Sequence, residues 1–355
     1  MSVNKIVGIV LSKNDWGQLG IAITYALQNH VDHVYVINHY SEDETAAGLS
    51  ALKEIFKERI TVFHYPNLPF DQSTITNSFA YLAKESGFEW IYVFDSDEFL
   101  IVDQGHSLRA ILGELDVPAL IYPVQNYISV TDFEKNNLAS YARLIYQSKP
   151  SKNAEVQSIE DIYSGKSNFF DYPFPAKCIF RASDLTWIDH GAHKQIWSYS
   201  PVHGSHDSRV RCAHLTLPSI DNLTRKARQG EEFQRAGYPF NHGWQAQLIY
   251  RIEQEDGLKK FWAHHSINEV NGVLDGPVFE KTHELVEALE STIQLLAKEF
   301  ESSNLCEFRG KKLKKGVAKN STISVGEFVR VFSSFGKHTD QFLTEITRLQ
   351  KRDDS

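Results

Sequence analysis

Residues 88–100 read FEWIYVFDSDEFL, an apolar run, Trp90–Phe94, that drives into three acids, Asp95, Asp97 and Glu98. A buried strand ending in carboxylates presents them at the carboxyl edge of its sheet, where open α/β sheets bind ligands. Asp95 and Asp97 are two residues apart, so in an extended chain they point to the same side. Two carboxylates placed that way suit a hard divalent cation with oxygen ligands, Mg²⁺ or Mn²⁺, bridging to substrate phosphates. Acidic pairs also occur in plain turns, where Asp side chains hydrogen-bond local backbone. The flanking strand and the order of elements favour the first reading.

Two further stretches carry polar groups to that edge. In INHYSEDETAAG, Ile37–Gly48, a strand ends, a turn follows and a helix begins. Ser41 or Asp43 is suited to cap that helix, which is a sufficient structural role. Asn38, Ser41 and Asp43 would also share the edge with Asp95, and Lys13, Asn14 and Asp15 end strand one beside them, so a nucleotide could lie across three strand ends. The other stretch is RCAHLTLPSIDNLTRKARQG, Arg211–Gly230, with His214 at the end of a short strand and a basic helix after it. A lone His is more often a hydrogen-bonded core or surface residue than a ligand. Together with basic groups it could complete a metal–diphosphate site, imidazole on the metal and ammonium or guanidinium on phosphate oxygens. On an unbroken helix Lys226 and Arg228 lie about 160° apart, so only one faces a given phosphate, and Lys226 is the candidate.

The elements that must position these groups alternate. Lys5–Leu11, His33–Asn38, Ile60–Phe63 and Trp90–Phe94 read as strands; Trp16–Gln28, Glu42–Lys57 and Ser73–Lys84 read as helices with apolar stripes. That alternation implies βαβ units and a mostly parallel sheet. A short helix at Leu108–Leu112 and a strand at Ala119–Val124 follow. Asn126–Phe174 is polar, aromatic and irregular, a length of loop that is usually functional or disordered. Its Tyr127, Phe169, Phe170 and Tyr172, with Trp187, Trp197 and Trp244, are candidates for stacking on sugar faces, although most large aromatics are core residues. Lys177–Arg181 and Arg209–Ala213 read as strands of a second, mixed sheet region. Ser219–Ala236, Gln245–Gln254 and Pro277–Phe300 read as helices, and Val325–Leu349 as a last amphipathic stretch.

Composition sets the bounds. At 355 residues, 42% hydrophobic and 23% charged, the chain has the profile of a soluble globular protein of one large domain with additions, or of two domains. No run approaches the roughly 18 apolar residues that span a bilayer, and MSVNKIVGIVLSKND reads as strand one rather than a signal peptide. Three cysteines without metal spacing argue against a disulfide framework and fit a reducing compartment. A net charge of −8 tells against bulk attraction to nucleic acid. The segment 309–319, RGKKLKKGVAK, is locally basic and suits either a solvated face or contact with an anionic membrane surface or acidic glycan.

In this order the motifs resemble a family 2-type glycosyltransferase of the GT-A fold, especially the bacterial branch whose acidic motif runs Asp-x-Asp-Glu-Phe. The resemblance covers residues 5–103: Lys13-Asn14-Asp15, the turn Asn38-x-x-Ser41-x-Asp43-x-Thr45, and Asp95-Ser96-Asp97-Glu98-Phe99. It returns at His214, Lys226 and Gly230. Three departures stand out. Asn38 replaces the usual Asp, Pro218 stands where the branch often has Arg or Lys, and there is no Gln-x-x-Arg-Trp of the processive synthases.

The resemblance implies an α/β fold: a GT-A, Rossmann-like, mostly parallel sheet flanked by helices, with a smaller mixed sheet region and a helical C-terminal extension. It divides the chain into a transferase domain over 1–245, made of a nucleotide-binding half (1–125) and an acceptor and metal-completing half (126–245), and a helical region over 246–355. It further implies transfer of a sugar, with inversion, from a nucleotide-diphosphate donor, UDP-sugars first among them, to a glycan or lipid-linked glycan in bacterial surface polysaccharide synthesis. Asp95, Asp97 and His214 would hold Mn²⁺ or Mg²⁺; Asn14, Asp15, Asn38, Asp43, Asp95 and Lys226 would line the nucleotide-sugar site. Inversion needs a general base, for which WIDHGAHK offers Asp189, with His190 and His193 as alternatives. The expected location is the cytoplasm, with the inner membrane face an option through 309–319. Two rival readings stay open. A nucleotidyltransferase acting on a sugar phosphate would show a glycine-rich phosphate loop, and SKNDWGQLG has only Gly17 and Gly20. A non-catalytic glycan-binding protein on a transferase fold has no need of intact Asp95, Asp97 and His214.

Overall fold

The structure, a computed structural model, describes residues 4–65, 72–149, 158–172, 174–193, 204–240, 243–270, 273–300 and 303–318. In chain order the elements are β1 (Ile6–Ser12), α1 (Trp16–Asn29), β2 (His33–His39), α2 (Thr45–Phe56), β3 (Ile60–Tyr65), α3 (Gln72–Glu85), β4 (Trp90–Val93), β5 (Glu98–Val102), α4 (Leu108–Gly113) and β6 (Ala119–Tyr122). There follow β7 (Val124–Asn126), α5 (Leu138–Tyr141), β8 (Tyr146–Ser148), α6 (Ile159–Tyr163), β9 (Lys177–Arg181), β10 (Gly204–His206) and β11 (Val210–His214). The rest comprises α7 (Ile220–Arg235), α8 (Trp244–Gln254), α9 (Leu258–His265), the short strands β12 (Asn268–Val270), β13 (Val273–Asp275) and β14 (Phe279–Lys281), then α10 (Glu284–Glu299) and the hairpin β15 (Glu307–Phe308) and β16 (Lys311–Lys312). The chain groups into two compact units. One holds Met1–Pro123, Ala176–Cys212 and Thr292–Ser355, and the other Val124–Pro175 and Ala213–Ser291. The region 246–355, expected as one helical extension, is thus divided at residue 291.

The first unit carries the α/β fold that the alternation implied. Its seven-stranded sheet has the order β10-β6-β9-β4-β1-β2-β3. β1 runs parallel to β2 and β4, and β2 parallel to β3, while β9 lies antiparallel to both β4 and β6. Strands covered on both faces read as continuous apolar runs, and Ile6, Val7, Ile9 and Val10 of β1 are all fully buried. On one face Ile75, Phe79, Ala80 and Ala83 of α3 pack on Val7, Ile9, Ile91, Val93 and Phe180.

At the start of α1, Trp16 is buried, its ring 6.0 Å from that of Phe300 and its Nε1–H donating to the Leu305 carbonyl at 2.8 Å. α2 meets the indole at Gly48, where an added Cβ would lie 2.2 Å from a ring carbon. Glycine stands there for space rather than for backbone freedom.

The second unit contains α5 to α9. α7 and α8 come close at Gly230, where a Cβ would fall 2.1 Å from the Ala246 carbonyl oxygen. The irregular 126–174 stretch holds β7, β8, α5 and α6 within its described residues. β8 pairs antiparallel with β14, so the expected helix over Pro277–Phe300 is a strand through Lys281 and a helix only from Glu284. The strand is drawn off by Tyr146, whose ring packs edge-on against Phe279 at 5.0 Å. α9 was not foreseen. Trp197 and Val325–Leu349 lie outside the described residues, and no helix among the described ones is long and apolar enough to cross a membrane.

His30, after α1, shows what burial does to a base in this unit. Its Nε2–H donates to the Leu100 carbonyl at 2.6 Å and its Nδ1 is buried without a partner. Burial lowers its pKa to about 4, despite the backbone bond. Between about 6.5 and 4 the unfolded chain takes up a proton that the folded one refuses, so stability falls as pH falls, by about 1.4 kcal/mol per unit. Urea midpoints of the native and His30→Gln chains across this window should differ in slope by that one proton, the buried His265 adding its own to both. Gly48→Ala should lower stability by about 1–3 kcal/mol in the same assay, since the indole has nowhere to retreat.

Candidate active site

The carboxyl ends of β1, β2 and β4 are tied together by side chains. Ser96 Oγ donates to Asp15 Oδ2 at 2.5 Å, joining the end of β4 to the end of β1. The Asn14 N–H donates to Ser41 Oγ at 2.9 Å, and Asn14 Oδ1 accepts the Glu42 N–H at 2.7 Å, joining β1 to the turn after β2. Asn14 has φ 57°, a left-handed conformation that Asn tolerates better than most residues. Asp43 serves two helices: Oδ1 accepts the N–H of Thr45, first residue of α2, at 2.9 Å, and Oδ2 that of Trp16, first of α1, at 3.5 Å. The expected capping role therefore falls to Asp43. Asn38 is 2% exposed, with its amide 3.0 Å from His64 Nδ1 on β3. It braces two strand ends rather than facing outward. Asn14 and Asp43 remain half-exposed on the edge, and Asp15 is buried beneath them.

The acidic motif is a turn. Ser96 and Asp97 occupy its corner, and the Glu98 N–H donates to the Asp95 carbonyl at 3.1 Å. The chain is not extended there, so the same-side argument for Asp95 and Asp97 does not apply. The turn reverses the chain into β5, and Glu98, first residue of that strand, goes inward.

What receives Glu98 is Lys177. Its ammonium lies 2.6 Å from Glu98 Oε1 and 3.3 Å from Asp95 Oδ2, with side chains 6% (Lys177), 3% (Glu98) and 41% (Asp95) exposed. Glu98 Oε2 accepts the Asp95 N–H at 3.2 Å. Burial pulls the Lys177 pKa down, but the charges of Glu98 and then Asp95 push harder, and the net shift is upward. The ammonium is charged at any physiological pH. Lys177 reaches this edge because β9 is antiparallel to β4: its first residue lies where β4 ends. The sequence offered one signal, a lysine heading the apolar run KCIF, since lysine is rarely buried unless paired.

At the acidic turn Asp97 and Glu98 offer carboxylate oxygens of the kind that could hold a metal ion, and His214, in the second unit, offers an imidazole. Asp95, expected there, instead faces Lys177. His214 Nδ1 lies 2.9 Å from Asn126 Oδ1. Donation to that oxygen fixes the proton on Nδ1 and leaves Nε2 as the metal-binding nitrogen. Carboxylate oxygens suit Mg²⁺ or Mn²⁺, and the imidazole favours the transition metal of the two, so the donor set fits.

The remaining candidates are distributed as follows. On the unbroken α7, Lys226 is half-buried with Nζ 3.3 Å from Gln245 Oε1, while Arg228 is exposed. Asp189 is half-buried in a tight turn, its carbonyl accepting the Ala192 N–H at 3.1 Å. His193 Nδ1 lies 2.9 Å from the Ala176 carbonyl, next to Lys177. The side chain of His190, with Lys194, lies outside the described residues. Tyr127, Phe169 and Phe170 are core; Tyr172 and Trp244 are part-exposed, rings 4.5 Å apart, and Trp187 donates to Ser73 Oγ at 2.9 Å. Burial pushes the Cys178 thiol up to about 12 and raises that of Cys212 as well, so neither is a thiolate nucleophile.

No protein-family model matches this chain, and no curated protein matches it. Solved structures do. TarS of S. aureus (residues 1–349) matches at 11% identity over 78% of this chain and 99% of that one, with a TM-score of 0.35. A complex of the same protein with UDP matches at 12% identity, over 70% and 72%, with a TM-score of 0.31. WbbM, a bifunctional glycosyltransferase, matches at 12% over 50% of this chain and 32% of its own, with a TM-score of 0.27. A putative glucose-1-phosphate thymidylyltransferase from Bacillus anthracis matches at 10%, over 62% and 93%, with a TM-score of 0.30.

Lys177→Ala would strand the Glu98 carboxylate in the interior. The expected loss is about 3–5 kcal/mol, read from urea midpoints, with much of it recovered when Glu98→Gln is added.

Proposed function

We propose that this chain transfers a sugar from a nucleotide-diphosphate donor, UDP-sugars first, to a hydroxyl of a glycan or lipid-linked glycan, with a divalent cation at the acidic turn. The observation that carries the reading is the strand-end edge. Three neighbouring parallel strands end in polar side chains cross-linked to one another, with the acidic turn mounted on the same edge. Such an edge is where open α/β sheets seat nucleotides. Asn14, Asp15 and Asp43 shape the nucleotide seat and Asn38 holds it from below. Asp95 belongs to the donor site.

Asp97, with Glu98 and His214, would hold Mn²⁺ or Mg²⁺, which when bound sets positive charge against the departing diphosphate. Lys226 supplies a further charge for phosphate oxygens. The acceptor proton passes to a base on the segment after β9, Asp189 by choice, with His190 and His193 as the alternatives, and the sugar carbon inverts in one displacement. Tyr172 and Trp244 offer part-exposed faces for sugar stacking. The biological setting proposed is surface glycan synthesis at the cytoplasmic side, with the exposed lysines of 309–318 turned to anionic material.

Thermal unfolding with Mn²⁺ and a panel of UDP-, GDP- and dTDP-sugars tests the reading. One donor should raise the melting temperature only when Mn²⁺ is present, by the equivalent of about 2.7 kcal/mol at a hundredfold excess over its Kd. Asp97→Asn should remove that shift. Failure of every nucleotide sugar, or release of pyrophosphate from a nucleoside triphosphate, would refute it.

A further inference from the structure

Within the first unit the chain returns to the strand-end edge near its C-terminal end. The Trp16 indole donates to the Leu305 carbonyl at 2.8 Å, and further along the Gly316 N–H donates to the Asp43 carbonyl at 3.2 Å. We propose that Gly316 is a positioning residue for the nucleotide seat. The strap Leu305–Gly316 fixes the turn after β2 from outside, and nucleotide affinity depends on that bond. The inference rests on the nucleotide-donor reading above and deepens it.

The path of the strap is set by its anchors. Phe308 is buried, its ring edge-on to that of Phe300 at 5.1 Å. Arg309 and Gly310, with φ 47° and 70°, reverse the chain between β15 and β16. The Arg309 guanidinium lies 3.4 Å from Glu54 and 3.1 Å from Glu299. At the far end Lys315 Nζ lies 3.6 Å from Glu44 Oε1. Glu54 is in the last turn of α2 and Glu44 just precedes its first residue. These two are about 15 Å apart along the helix, and the chain from Arg309 to Lys315 reaches about 20 Å when extended. The strap therefore runs along α2 and ends at the turn that opens it.

Asp43 is the joint of that turn. Its carboxylate accepts the N–H groups of Thr45 and Trp16, and its own N–H donates to Asn14 Oδ1 at 3.4 Å. With the Gly316 bond its carbonyl is engaged too, so the strap adds a tie from outside to the residue that aligns α1, α2 and the end of β1. Of the two contacts at this end, the backbone bond is the stronger candidate. Lys315 is 74% exposed, and surface ion pairs of this kind contribute little. Gly316 has φ 134°, which L side chains rarely adopt, while an added Cβ would meet nothing within 4 Å. Glycine is required there by the backbone and not by space. Losing one neutral hydrogen bond shifts the population of an ordered turn by about fivefold, and the apparent affinity of a ligand that needs the turn ordered falls by the same factor.

The probe is UDP, with GDP and dTDP beside it, titrated by calorimetry into the full chain in the presence of Mn²⁺. Gly316→Ala should raise the dissociation constant of the nucleotide that binds by about fivefold, and Lys315→Met by less than about twofold. Gly316→Pro, which deletes the N–H, should match Gly316→Ala. Gly87→Ala is the control. Gly87 also has a positive φ, 81°, with nothing within 4 Å of an added Cβ, but it precedes β4 at the amino edge of the sheet. Its variant should keep the native affinity. Without any ligand, hydrogen exchange at the Thr45 and Trp16 amides should quicken in Gly316→Ala and not in Gly87→Ala. If Gly316→Ala binds nucleotide as tightly as the native chain, or no more weakly than Gly87→Ala, the proposal is overturned and the donor reading stands. A native chain that binds none of the three nucleotides overturns both.

Discussion

The contact between Lys177 and Glu98 is the constraint from which the rest of the site follows. Two unlike charges sit 2.6 Å apart and almost wholly out of water. Neither is tolerable there without the other, since a lone buried charge is strongly destabilising. Their pairing requires β9 to run antiparallel to β4 and to begin where β4 ends. It requires the chain to turn at Ser96–Asp97 so that Glu98 goes inward. Asp95 then comes within 3.3 Å of the Lys177 ammonium as well.

How much of this was legible in the sequence depended on how local the cause was. β1 through β4 and their helices are each specified by their own apolar runs, because a parallel sheet covered on both faces needs no alternation to mark it. The three polar strand ends could be read for the same reason. What could not be read was set by pairing at a distance. β9 appeared as a strand, but its direction, and hence Lys177's place, is fixed by β4 and β6. The turn at Ser96 hides within a stretch that looks extended, and residues 279–281 became a strand only because β8 was there to pair with. Asn38 was expected to face a ligand. It is engaged with His64, a partner 26 residues away that nothing in its own turn announces.

Residues proposed for function at this edge also carry structural roles. Asp43 caps two helices, and Ser96, the unspecified middle residue of the acidic motif, is the post that joins β4 to β1. Gly230, which matched the resembling branch's later motif, stands where α7 and α8 approach too closely for a side chain. Residues that resemble a functional signature can thus be held in place by packing alone. The distant likeness to solved transferases leaves the case to the side chains themselves.

The indole of Trp16 donates to a carbonyl 289 residues further along the chain. During synthesis, at about 5–20 residues per second, that partner leaves the ribosome some 15–60 s after the tryptophan does. Through this interval the start of α1 and the face of α2 beneath it are an unfinished surface, with a large aromatic group and no lid. The first unit therefore cannot complete the cover over Trp16 until residues 300–305 have emerged.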